Sequence, residues 1–323
     1  MTDLDQVYFN IDWPRDRRWQ MIGLGLNAVD WICQLPRYPS HNTKVQIDRL
    51  RKLGGGQVAT ASALCGRWGF SVRYIGRVGD DDIGRFSLHS LASEPMDISC
   101  VETIEGASSQ FAIILVDRPT GERTILWDRD SRLNYGPGEL KREWVIDAQI
   151  LHLDGHDQGA AIQAARWARE RGVKVCIDID KAQPGVEALL RLIDFALPSV
   201  NFVQQFARRR SWRDCLLDVA EITPGFLAVT RGKEGCAAVW DGEIIEVPGF
   251  RVNAVDTSGA GDVFHGAFIY SLFQNWSVYR CLRFANVAGA LACTRYGVRA
   301  SIPALEDVLA KCGLPQNRVP QEV

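Results

Sequence analysis

Apolar, strand-like runs alternate with segments of helical period along most of this chain, and that alternation restricts its fold more than any other feature. The runs 21–26, 73–77, 150–153, 173–179 and 226–230 are separated by the helix-period segments 59–68, 83–91, 160–170 and 185–193. A helix between two strands packs best when the strands are parallel and the helix covers their face, so the order predicts an α/β core: a mainly parallel sheet flanked by helices. Two regions break the rule. Lys44, Gln46 and Asp48 alternate with Val45, Ile47 and Arg49, while 109–116 and 122–127 flank the turn signal Arg118-Pro119-Thr120-Gly121. They predict a small β-sheet lid built from segments at about 37–54 and 108–130 and inserted into a single domain covering 19–312. Residues 1–18, mixed in charge and without periodicity, read as a terminal arm with ordered structure starting near Gln20, and 313–323 as a C-terminal tail.

Composition permits such a core and narrows its partners. Of 323 residues, 46% are hydrophobic and 24% charged, which excludes a disordered, collagenous or coiled-coil chain. Lys and Arg total 37 against 39 Asp and Glu, so no overall field draws the protein to nucleic acid or to an anionic membrane. The run Arg208-Arg209-Arg210 with Trp212 lies beside Asp214, Asp218 and Glu221 and reads as a solvated helix face. The stretch 263–279 has no Asp, Glu, Lys or Arg, yet His265, Gln274 and Asn275 leave it short of a membrane span. Nine cysteines, no two closer than twelve positions, form no Cys-x-x-Cys pair. Together with the missing apolar N-terminal run they predict reduced thiols and a cytoplasmic protein.

The segment that carries chemistry is Asp256-Thr257-Ser258-Gly259-Ala260-Gly261-Asp262, followed by an apolar-periodic helix. Small residues at a helix start let unpaired N–H groups converge on an anion, and the helix dipole adds partial positive charge there. Asp262, in the first turn, can accept a proton from an attacking hydroxyl, which points to phosphoryl transfer. The same residues also suit a tight loop with an acid capping a helix.

This heptad resembles the C-terminal signature of the ribokinase, or pfkB, family of carbohydrate kinases. Gly54-Gly55-Gly56-Gln57-Val58-Ala59-Thr60, before a helix that ends at Arg67-Trp68-Gly69, resembles the family's glycine pair and sugar-contacting helix start. Gly76-Arg77-Val78-Gly79-Asp80-Asp81-Asp82-Ile83-Gly84 resembles its next signature, and the similarity runs over about 21–303 with motifs in family order. The resemblance implies a ribokinase-like three-layer core, a β lid that makes a homodimer contact, ATP with magnesium, and γ-phosphate transfer to a hydroxymethyl group. It makes Asp262 the general base and the backbone of Gly259, Ala260 and Gly261 the anion hole. It gives Asp30 two sugar hydroxyls, with Gly55, Gly56 and Thr60 as further substrate contacts. Arg123 then matches a lid arginine that reaches ATP, or is a solvated lid charge. Thr230, Gly232 and Gly235 match backbone near the nucleotide, although the glycines also suit a plain hairpin, and Asn286 matches a position beside adenine. Asp256, Ser258 and Ser301 match a monovalent-cation site, which makes potassium a candidate activator. Asn27 is one residue out of register with the family's sugar-binding Asn and is not assigned.

Departures from the pattern bear on metal and substrate. Many relatives carry Asn-x-x-Glu where this chain offers Ser199 and Phe202, or Asn201 and Gln204 with a shift; neither register supplies the carboxylate. Magnesium is then left to ATP phosphates, Asp262 or waters. The ending Asp178-Ile179-Asp180-Lys181 is similar to ketohexokinase-like and sulfofructose-kinase-like members, but Trp127 and His156 stand where the latter branch places its sulfonate-binding Asn and Arg. His152 and His156, four apart at a strand-to-loop exit, read as polar groups near the sugar rather than a zinc site. The resulting expectation is an ATP-dependent kinase for a ketohexose or pentose. A nucleoside kinase of the same family and a catalytically silent sugar or nucleotide sensor are the alternatives.

Overall fold

The computed structural model describes residues 4–314. β1 (Trp19–Leu24) opens a core sheet, and the chain leaves it at once for β2 (Ala28–Leu35) and β3 (Arg49–Gly55), half of a second sheet. It returns through α1 (Gln57–Arg67), β4 (Val72–Gly79), α2 (Asp82–Ala92) and β5 (Asp97–Ile104) before β6 (Phe111–Asp117) and β7 (Arg123–Asp128) complete the second sheet. The rest is core: α3 (Arg142–Val145), β8 (Ala148–Asp154), α4 (Gln158–Glu170), β9 (Lys174–Asp178), α5 (Glu187–Leu190) and β10 (Phe195–Ala196). Then follow α6 (Val200–Ala207), α7 (Trp212–Ala220), β11 (Phe226–Thr230), β12 (Cys236–Trp240) and β13 (Glu243–Val247). α8 (Ala260–Leu272), α9 (Val278–Ala292) and α10 (Leu305–Cys312) close the chain.

The core sheet has nine strands in the order β13-β12-β11-β10-β9-β8-β1-β4-β5. Its pairs from β11 through β5 are parallel, and β12 and β13 add an antiparallel edge. Helices cover both faces, which is why residues 21–24 are apolar without a break: neither face of β1 meets water. On one face α1, α8, α9 and α10 pack around Met21, Ile150 and Cys176. On the other lie α4 to α7, where Ala160, Ala161, Ala164, Ala165 and Ala168 give α4 a flat stripe that approaches the sheet closely. α8 is buried from Val263 to Leu272, so its sequence is apolar all round.

The small sheet, ordered β3-β2-β6-β7, is the lid, and β7 is exposed at every position. Here the structure corrects two expectations. The alternating segment 44–49 is irregular up to Arg49, because nothing covers either of its faces, and the strand that pairs with β3 is β2, outside the expected lid segments. β2 escapes a sequence reading because Asp30 interrupts its apolar run. The helix expected over 185–193 is the single turn α5.

Residues 4–18 also differ from a free arm. Leu4 is buried, the Val7 carbonyl accepts from Val278 N at 2.8 Å, and the Phe9 ring meets Phe226, Phe195 and Phe268 edge-on at 4.9, 5.5 and 5.9 Å. Aromatic pairs of this kind contribute about 0.5–1.5 kcal/mol each, enough to hold the segment against the α8 face. The tail expected over 313–323 lies, beyond Leu314, outside the described residues. No helix among the described residues is long and apolar enough to cross a membrane.

Candidate active site

The C-terminal ends of the central strands face the N-termini of α1 and α8, with the lid above. At Gly259 the chain turns into α8 with φ of 75°, and a Cβ there would lie 2.7 Å from Val298 Cγ1; left-handed backbone and close approach both demand glycine. Of the next N–H groups, that of Ala260 makes a long bond to the Thr257 carbonyl at 3.4 Å, and those of Gly261 and Asp262 have no acceptor within the helix. A Cβ on Gly261 would meet nothing within 4 Å, so the turn opens outward at that point. Gly259, Ala260 and Gly261 thus present main-chain donors and the positive end of a buried helix to an open space, as an anion requires. Arg123 reaches this rim from β7: its Nη1 donates to Thr257 Oγ1 at 2.7 Å.

Two carboxylates flank the cradle. Asp262 is half-buried and is pushed up to about 7, first by burial and then by the charge of Asp178, while His265 and Arg123 pull it down. Asp30, on β2, is 4% exposed and also pushed up to about 7, by burial first and by the charge of Asp262 second. Arg299 opposes that rise. The Asp30 carboxylate occupies the space that a side chain at Gly55 would take, with Oδ2 only 1.8 Å from a Cβ built there. Gly56 caps α1 with φ of 96°, where a Cβ would stand 2.6 Å from the Leu26 carbonyl oxygen. Thr60 is buried one turn on, its Oγ1 without a hydrogen-bond partner among the described residues. The sequence-derived acceptor residues Asp30, Gly55, Gly56 and Thr60 therefore sit together at the β2–β3–α1 junction, within electrostatic reach of Asp262.

Asn27 is fully engaged, donating to Tyr74 Oη at 3.0 Å and to the Arg77 carbonyl at 3.2 Å and accepting from Ser87 Oγ at 2.9 Å, which accords with leaving it unassigned. On the nucleotide side, Thr230 ends β11, and Gly232 and Gly235 make the turn into antiparallel β12, so they do form a hairpin. Asn286 Nδ2 donates to the Val247 and Pro248 carbonyls at 3.2 and 3.3 Å, tying α9 to the end of β13. Behind the cradle, Asp256 is fully buried; its carboxylate accepts from Ser258 N at 2.9 Å and Gly297 N at 3.0 Å. Ser301 Oγ donates to the Val298 carbonyl at 2.8 Å, and Ser258 Oγ is buried without a partner among the described residues.

His152 is corrected: it is not at a loop but wholly buried on β8. The His156 ring lies 6.0 Å from that of Trp127, which also carries Lys181 Nζ 5.0 Å from its centroid. Three residues escaped the sequence reading as participants. Asp154 accepts from Leu26 N at 2.6 Å and from His156 N at 3.0 Å, pinning the loop after β1. Asp178 ends β9 beneath Asp262. Arg299 has a buried guanidinium with no hydrogen-bond partner among the described residues, and its Nη2 would lie 1.8 Å from a Cβ on Gly54. An acid at a strand end is the signal for the first two; Arg299 leaves none, since only the turn after Gly297 folds it inward. A partly open cavity of about 30 Å³ near Arg77, Arg129, Asp154 and His156 includes neither Asp30 nor Asp262. Among the described residues no three His, Cys, Asp or Glu side chains are grouped to hold a metal.

The model of the pfkB family carbohydrate kinases matches residues 24–305. An ATP-dependent ribose-1-phosphate kinase of Halopiger xanaduensis is 31% identical over 89% of this chain and 96% of its own length. A solved structure from Agrobacterium tumefaciens, provisionally assigned as a ribokinase, superposes with a TM-score of 0.85 at 26% identity, covering 91% of this chain and 97% of that one. An Escherichia coli protein provisionally assigned as ribokinase II, solved with ATP and Mg2+, shares the fold with a TM-score of 0.76 at 20% identity over 90% of this chain and 98% of its own.

Proposed function

The chain belongs to the pfkB family of carbohydrate kinases, and from that premise we propose that it transfers the γ-phosphate of ATP to a primary hydroxyl of a small monosaccharide, with Asp262 as the general base. Membership makes it a phosphotransferase with an alcohol acceptor; the sugar, a ketohexose or a pentose, and the residue roles are our reading. One observation carries it. A carboxylate pushed up to about 7 sits in the first turn of a helix whose free N–H groups face an opening, within reach of a second buried carboxylate. A base works best when its pKa lies near the operating pH.

In this reading Asp30 accepts two vicinal sugar hydroxyls and, with Gly55, Gly56 and Thr60, fixes the ring so that a primary hydroxyl faces Asp262. Asp262 takes its proton as the oxygen attacks in line, and charge on the transferring phosphoryl meets the N–H groups of Gly259, Ala260 and Gly261. Arg123 brings positive charge to the same phosphate, and the lid excludes water that would otherwise accept the phosphoryl. Thr230, Gly232, Gly235 and Asn286 frame the nucleotide. Magnesium would offset phosphate charge; among the described residues no cluster of His, Cys, Asp or Glu would cage it, so the nucleotide, Asp262 or water would hold it. ADP release measured against ketoses, pentoses, sugar phosphates and nucleosides tests the reading. Turnover with free sugars supports it, turnover with nucleosides alone replaces it with a nucleoside kinase, and none with any acceptor makes the protein a sensor.

Two further features complete the proposal. The buried Asp256 carboxylate and the orphaned Ser258 hydroxyl, with Ser301 nearby, suit a potassium ion behind the anion hole. Activity is then higher in potassium than in sodium buffer, and equal rates in both remove the ion from the account. The exposed lid hydrophobics Leu50, Ile113, Ile125 and Leu126 suit burial against a second copy's lid. Light scattering should then give twice the mass of one chain, and a monomer at micromolar concentration would contradict it.

A further inference from the structure

His265, one turn into α8, makes contacts that fix its charge. Its Nδ1 lies 2.7 Å from the Gly261 carbonyl oxygen and its Nε2 2.9 Å from that of Leu197. A carbonyl oxygen can only accept, so each nitrogen must carry a proton, and a ring protonated at both is an imidazolium. Turning the ring over would place C–H groups against both carbonyls. The side chain is 2% exposed, and a buried cation needs a counter-charge. Asp178 faces it, with Oδ2 3.4 Å from Nδ1; burial first, then the charges of Asp180 and Asp154, push that carboxyl well up, and it serves as the counter-charge only when its proton passes to the ring.

We propose that His265 is a permanently charged positioning residue that fastens the phosphate cradle to the core and shields Asp262 from the Asp178 charge. The Gly261 carbonyl belongs to the peptide unit whose N–H is that of Asp262, so the bond from Nδ1 holds the plane that aims the base. The bond from Nε2 ties that turn to the segment after β10, on the sheet itself. This inference rests on the reading of Asp262 as the base.

The surroundings agree. From β8, the His152 ring stacks 5.9 Å away and is pushed down to about 3, by burial first and by the His265 charge second, so it is neutral. From β9 come Asp178 and, past its end, Asp180; from α1 comes Cys65, whose thiol donates to the Gly266 carbonyl at 3.4 Å. On α8 itself stand Asp262 and the Phe264 ring, and Asp262 faces Arg123 of the lid and Asp30 of β2 as well. The His265 imidazole is pushed down, by burial first, against the Gly261 and Leu197 carbonyls and then Asp262; the charge follows from geometry, since only the doubly protonated ring satisfies both short contacts at once.

Nitrogen-15 spectra of the labelled protein test the charge directly. Both His265 ring nitrogens should stay protonated up to about pH 8, well above the ordinary histidine range; one unprotonated nitrogen there overturns the proposal. His265→Gln keeps an amide donor without the charge. The acid limb of kcat/KM should then rise by about one pH unit, because Asp262 loses an opposing cation. A purely structural role would lower kcat at every pH and leave the limb where it was, which also overturns the proposal. Should His265→Gln fail to fold, the spectra decide alone. They need neither substrate nor turnover, so a wild-type enzyme lacking any acid limb would sink the base reading without touching the charge of His265.

Discussion

Asp262→Asn should leave a folded protein that is slightly more stable and almost inactive. A positioned general base contributes about 10²–10⁴-fold, so kcat/KM for the sugar should fall by that factor while kcat falls with it. The gain in stability follows from the sign of the shift. The folded protein holds the Asp262 proton up to about pH 7, against 3.8 ordinarily, so it is favoured at low pH and loses that advantage as pH rises through 7. At about pH 8 the ionised carboxylate costs about 1–2 kcal/mol once its partial exposure is discounted, and the neutral amide removes that cost. Calorimetry should show Tm a few degrees higher for the variant at about pH 8 and no gain at about pH 4, where the wild-type acid is already protonated. An Asp262→Asn enzyme that keeps more than about a tenth of the wild-type rate would remove Asp262 from the chemistry.

The second large effect separates two neighbouring glycines. Gly55→Ala brings a methyl to 1.8 Å from Asp30 Oδ2, the free end of a side chain, so the carboxylate rather than the backbone must move. Hydrogen bonds to a charged group are worth about 1.5–3 kcal/mol, and losing their aim should raise the sugar KM by about 10–100-fold with Tm nearly unchanged. Gly56→Ala is the reverse. Its φ of 96° and the Leu26 carbonyl oxygen 2.6 Å from the new methyl strain the main chain itself. That variant should lose about 3 kcal/mol or more of stability. Melting curves and sugar KM values for the pair check both, and equal effects on Tm would mean that Asp30 is not what Gly55 makes room for.

These contrasts mark what the sequence could reveal. The strand–helix alternation made the parallel core legible, since β1, β8 and β9 are buried on both faces and read as mainly apolar runs. The site was legible where glycine pairs and acids sit at fixed spacing, at Gly55-Gly56 and from Asp256 to Asp262. It was not legible where function depends on a contact made across the fold. β2 hides because its catalytic-side Asp30 breaks the hydrophobic pattern. His265 sits in an otherwise apolar helix, and only the arrival of Leu197 and Asp178 from other elements fixes its charge. Phe9 reads as part of a polar arm until Phe195, Phe226 and Phe268 converge on it.

The most direct test of the account is the pH dependence of kcat/KM for ATP-driven phosphorylation of the preferred sugar. The account predicts a rate that climbs to a plateau through a single ionisation near pH 7, where Asp262 titrates, with that rise absent from whatever activity Asp262→Asn retains. A wild-type profile flat across about two units on either side of neutrality, or the same rise persisting in the variant, would contradict it.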